Sequence, residues 1–211
     1  MDPGEPEHNR EAAERLFKDG LEMWQAGRLD EAQEAFGQCL SADPDYAPAY
    51  SARAGLNHWR GRDPEALEDI TRALALRPDH PGDRHNRAVV LAALGRQAEA
   101  IREYESVLRL EPSSAGTLNN LAWLLATADD PALRDCSRAI DCARRSVEAV
   151  RSAPWLDTLA AAYAECGEFD LAVEIESEAC ALSEPPNPAF ENRLELYRRK
   201  ISYASWTAGR G

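Results

Sequence analysis

The residues best equipped for chemistry crowd into DHPGDRH, where Asp79, His80, Asp83 and His85 bring two carboxylates and two imidazoles within seven positions. Such groups ligate zinc and similar ions. Pro81–Gly82 in their midst is instead the chemistry of a turn, and the segment reads as solvated, with no metal and no cofactor. Five cysteines follow no CxxC or zinc spacing, and read as reduced structural thiols. Asn86 and Asn120 stand 34 residues apart. Each amide offers a donor and an acceptor, enough to grip a peptide backbone or to tie neighbouring helices together. Arg53 and Arg87 share that spacing, and Asp69 and Glu103 each follow sixteen residues later. They read as ion pairs whose arginine stems pack on apolar neighbours. No nucleophile–base pair, phosphate loop or paired-carboxylate motif is visible, so the chain does not read as an enzyme. The acid-rich run EFDLAVEIESE reads as a water-facing surface.

The elements that position these groups repeat. GRQAEAIREYESVLRLEP (95–112) aligns with GRDPEALEDITRALALRP (61–78) and GRLDEAQEAFGQCLSADP (27–44), a period of 34. Apolar residues such as Leu16, Phe17, Leu21 and Trp24 recur at helical spacing. Gly27, Gly61 and Gly95 end one helix of each unit in a left-handed turn. Asp30 and Asp63 are expected to cap the next. Ala54, Ala88 and Ala122, with Gly20, form one seam of small residues, and Ala32, Ala66 and Ala100 form its facing partner. A fourth unit carries five extra residues in ADDPALRD, expected to be a mobile turn. Its successor, with Ala160, Gly167 and Ala172, resumes the pattern.

A period of 34 with these offsets resembles the tetratricopeptide repeat (TPR) family, in a form similar to bacterial TPR proteins. The resemblance implies an all-α fold, a right-handed TPR superhelical solenoid of antiparallel helix pairs. Its repeats would cover about 13–46, 47–80, 81–114, 115–152 and 153–186. A capping helix at 188–201 would close the domain, between a disordered tail at 1–8 and a flexible one at 202–211. The family lines a concave groove with fixed positions of each first helix. Carried over, these give Phe17, Leu21, Trp24, His58, Trp59, His85, Asn86, Val89, Asn119, Asn120, Trp123 and Thr158 as candidate peptide contacts. Asp157, Ala126, Ala161 and Glu165 fall at further groove positions. The Lys/Arg clamp by which one subclass holds chaperone tails is absent, which disfavours a co-chaperone role.

Net charge bounds the partner. With 37 acids against 24 Lys and Arg the chain carries −13, and such a surface repels nucleic acid and anionic membranes. The N-terminal residues hold no apolar run, and a cytoplasmic location is expected. The implied function is protein–protein recognition, as an adaptor or assembly scaffold. The expected ligand is a peptide or helix with apolar anchors and some basic residues. Alternatives are a self-associating scaffold, hence a homo-oligomer, or a regulatory subunit of an enzyme.

Overall fold

In a computed structural model, residues 6–209 are described, with side chains from Asn9 onward. Every regular element among them is helical: α1 Pro6–Gln25, α2 Leu29–Ala42, α3 Ala47–Trp59, α4 Asp63–Leu76, α5 Pro81–Ala93, α6 Gln97–Leu110, α7 Ala115–Thr127, α8 Cys136–Ala149, α9 Ala153–Glu165, α10 Phe169–Leu182, α11 Pro188–Arg198 and α12 Tyr203–Ala208. The chain divides into two compact units, one running to Arg96 and one from Gln97.

In the first unit α1 packs on α2 and α3 on α4, while the odd-numbered helices α1, α3 and α5 also touch in succession. The seam explains the packing. Ala32, Ala54 and Ala66 are fully buried, and Phe36 and Ile70 fill the space beside them. At Gly20 a β-carbon would meet the Phe36 ring at 2.6 Å, so only glycine lets α1 and α2 approach this closely. Gly27 takes φ +74. There the Gly27 N–H donates to the Trp24 carbonyl and the Arg28 N–H to that of Met23, the left-handed helix stop of each repeat. The expected caps are displaced. Leu29 already lies in α2, so Asp30 sits in the first helical turn, where an acid still favours the helix dipole, and it accepts from Arg60. Asp63 likewise opens α4 instead of preceding it.

The second unit repeats the scheme with α7 on α8, α9 on α10 and α11 on α10. Ala100, Ala122, Ala139, Ala160 and Ala172 are buried throughout. The ADDPALRD turn is tied down at several points. Gln97 pairs with Asp129 through side chain and backbone, and Arg134 bridges to Glu165 at 3.2 Å. A disulfide joins Cys136, beside this turn, to Cys166 at the end of α9. The reading of all five cysteines as reduced thiols is therefore corrected for this pair, while Cys39, Cys142 and Cys180 are free. Sequence could not bring Cys136 to Cys166, because the approach comes from packing α8 against α9.

Both ends depart from expectation. Of the tail drawn at 1–8, residues 1–5 lie outside the described residues and Pro6 already belongs to α1. The tail drawn from Ser202 forms α12, with Ala204 buried. No helix of the described residues is long and apolar enough to cross a membrane.

Candidate functional site

In the first unit α1, α3 and α5 enclose an open cavity of about 470 Å³. Its apolar wall is Phe17, Leu21 and Trp24 from α1, facing Ala52 and Gly55 on α3 and Val89 on α5. Phe17 is held by Phe36 and Tyr46, with ring centroids 5.9 and 5.4 Å away. Trp24 stands edge-on to Phe36. Gly55 admits the indole, since a β-carbon there would lie 2.9 Å from it. The large rings are thus fixed before any guest arrives.

The other end of the cavity is polar. Asp83 is only 2% exposed. It accepts from the Ser51 hydroxyl at 2.7 Å and from the Arg77 guanidinium at 2.8 Å. Arg77 also donates to Ser51, and His80 Nδ1 accepts the Asp83 N–H, capping α5. Of the DHPGDRH segment, read as a solvated turn, Asp79 and His80 close the turn while Pro81 onward opens α5, with Asp83 turned inward. The inward pairing of Asp83 escaped the sequence reading because its partners come from α3 and from the end of α4. His58 lines the same cavity, its Nδ1 2.6 Å from Asp63. Asn86 lines it too. Trp59 is 67% exposed and, like His85, lies outside the lining. Burial lowers the His85 pKa. Beside the cavity wall, Arg53 grips Asp69 with two hydrogen bonds, at 2.8 and 2.6 Å, as the sequence spacing implied.

Several candidate positions of the second unit are already engaged. Asn120 is hydrogen-bonded to the Tyr104 phenol, whose pKa burial pushes up to about 12. Thr158 is buried and donates to the Pro154 carbonyl. Asn119 keeps a buried side-chain oxygen without a hydrogen-bond partner. A ladder of amides presented to a ligand is thus not what Asn120 contributes. Trp123 lies under the Tyr203 ring and the Arg193 guanidinium.

Sequence reasoning missed the cluster beneath them. Arg193 Nε donates to Asp157, and Glu176 lies fully buried 4.0 Å from the same nitrogen. Burial, then the Asp157 charge, pushes the Glu176 pKa up to about 9. Burial also raises Asp157 and Tyr197, with Arg193 opposing both shifts. Burial beside Asp157 thus favours the protonated form of Glu176 at neutral pH, while neither of its carboxyl oxygens has a hydrogen-bond partner. Glu176 belongs to the run read as water-facing, and that reading is corrected for Glu176, while Glu168, Asp170 and Glu174 of the same run are exposed.

The tetratricopeptide repeat family model matches residues 11–46 and 84–114. A tetratricopeptide repeat protein from Parabacteroides merdae superposes with a TM-score of 0.72 at 18% identity, over 90% of this chain and 75% of its own. YrrB, described as a TPR protein with an unusual peptide-binding site, superposes at 0.69 and 17% identity, over 92% and 95%. The first TPR domain of Spaghetti (RPAP3), solved with the HSP90 peptide SRMEEVD, is 28% identical over 53% of this chain and 89% of its own, at a TM-score of 0.52. No curated protein matches the chain in sequence.

Proposed function

The chain carries tetratricopeptide repeats folded as an all-helical solenoid, and from this premise we propose that it recognises a peptide or helix in the groove of its first unit. The observation that carries the reading is the cavity itself. It has rigid apolar walls from Phe17, Leu21, Trp24 and Val89, a polar end at Ser51 and Asn86, and room for a bulky side chain. Binding energy concentrates where large preformed apolar surfaces exclude water, and here the rings need no reordering. Asp83 is occupied by Ser51 and Arg77, which removes it as a general base and favours binding over catalysis.

The ligand has apolar anchors and basic flanks, matching a chain of charge −13. It differs in sign from the acidic SRMEEVD peptide held by the RPAP3 domain, because the guanidinium lining this cavity, Arg77, is already held by Asp83. A displayed library of helical peptides, selected on the whole chain, tests this. The expected winners pair an aromatic or leucine anchor with Lys or Arg. Val89→Asp should weaken them about tenfold or more, roughly 1.4 kcal/mol, with helicity unchanged. Winners rich in acids, or unaffected by Val89→Asp, would overturn the reading.

A further inference from the structure

The last helix of the second unit lies where a ligand would. α12 packs across α7 and α9 as well as on α11, so it crosses the helices that carry groove positions. Tyr203 stacks on Trp123 with ring centroids 5.6 Å apart, and Trp206 follows 5.8 Å from Tyr203. Arg193 completes the set, 5.6 Å from the Trp123 ring and 5.5 Å from that of Tyr203. Trp206 reaches into the apolar cluster of Ala160, Ala164 and Tyr197. Ala126 and Ala161 are 0% and 2% exposed, whereas Leu21, Gly55 and Val89, at groove positions of the first unit, stay partly open.

The covering segment has the chemistry expected of a partner. Residues 198–211 read RRKISYASWTAGRG, with two aromatics three positions apart and basic residues on either side. Three positions is one helical turn, which puts both rings on one face. A helix of six residues has no stability of its own in water, so α12 is helical because it is docked. The connection supports this. Lys200 takes φ +58 with the hydrogen bonds of a glycine stop, Lys200 N–H to Tyr197 and Ile201 N–H to Leu196. A side chain there is strained relative to glycine, and whatever holds α12 in place offsets that strain.

We infer that α12 is an internal ligand, a displaceable segment occupying the face of α7 and α9 that otherwise takes an external basic segment with two aromatics on one helical turn. The inference stands on the second unit alone and does not depend on the groove of the first.

The test uses a chain ending at Lys200, the full chain, and the full chain with Tyr203→Ala and Trp206→Ala. The probe is a fluorescently labelled peptide of residues 201–211, followed by anisotropy. A tethered segment has an effective concentration on the order of 1 mM, so a segment docked by these contacts must saturate the free face below that. The shortened and doubly substituted chains should bind the peptide at least tenfold more tightly than the full chain. Trp123→Ala in the shortened chain should cost at least tenfold. Two outcomes overturn the inference. One is a shortened chain that loses its helicity or cooperative melting, which makes α12 part of the structural core. The other is a folded shortened chain with no saturable binding below about 1 mM, or binding equal to that of the full chain.

Discussion

Glu176 sits in a run that reads as surface, yet its carboxyl is wholly buried between Asp157, Arg193 and Tyr197, with Cys180 nearby. Its pKa is raised to about 9 from an ordinary carboxylate value. The folded state therefore holds a proton that the unfolded chain has released. The stability linked to this proton is complete below the ordinary carboxylate pKa and is lost as pH rises through about 9. Glu176→Gln keeps the shape and polarity of the side chain without the titration. It should flatten the fall of Tm between about pH 6 and 9, and stand above the parent at the alkaline end. Melting curves across that range decide it, and an unchanged slope would mean that Glu176 is not the titrating group. The contrast with the alanine seam shows what a sequence reveals about single residues. Ala32, Ala66 and Ala100 were legible because close helix approach demands a small side chain at every repeat. Arg53 with Asp69 was legible because its spacing lies within one repeat. Glu176 with Arg193, and Asp83 with Arg77, carry no recurring spacing, since each pairing is made by helices meeting in space.

At the scale of elements, repeat register predicted the helix pairs, while the places where the register stops escaped it. The five additional residues of the ADDPALRD turn read as a free loop. They are instead anchored by Gln97, by Arg134 on Glu165 and by the neighbouring disulfide. α12 was equally hidden. Its residues are few and Lys200 stands where the earlier turns have glycine, so nothing local announced a helix there. The disulfide gives the anchored turn a measurable consequence. It closes a loop with a sequence separation of 30, and a cross-link of that span contributes about 2–4 kcal/mol through the unfolded chain. For a chain of this size that is on the order of 5–15 °C in Tm. Both cysteines are only partly buried, so a reductant can reach them. Melting with and without dithiothreitol should show this loss, and Cys136→Ser with Cys166→Ser should reproduce it and abolish any further response. A Tm indifferent to reductant would mean that the anchored turn is held by its ion pairs instead.

For the whole molecule the decisive quantity is the uncompensated charge. Many surface arginines are paired, among them Arg138 with Glu105 and Arg151 with Glu178, but exposed pairs of this kind contribute at most about 1 kcal/mol each. The 37 acids outnumber Lys and Arg by enough to leave −13, so mutual repulsion in the compact state is expected to outweigh the pairs. Salt shortens the reach of that repulsion, to a Debye length of about 8 Å at physiological ionic strength. The same screening weakens the field that draws in a cationic ligand. Salt should therefore act with opposite signs on the two properties. Raising NaCl from about 20 to about 300 mM should increase Tm by a few degrees. Over the same range the association rate of a basic, aromatic peptide should fall about tenfold, while a neutral peptide with the same anchors should change little. Scanning fluorimetry and stopped-flow fluorescence measure the two effects on one sample. A Tm that falls with salt would show that the arginine pairs dominate the surface. Equal salt dependence for the basic and neutral peptides would remove charge from the recognition and leave the apolar walls to account for it.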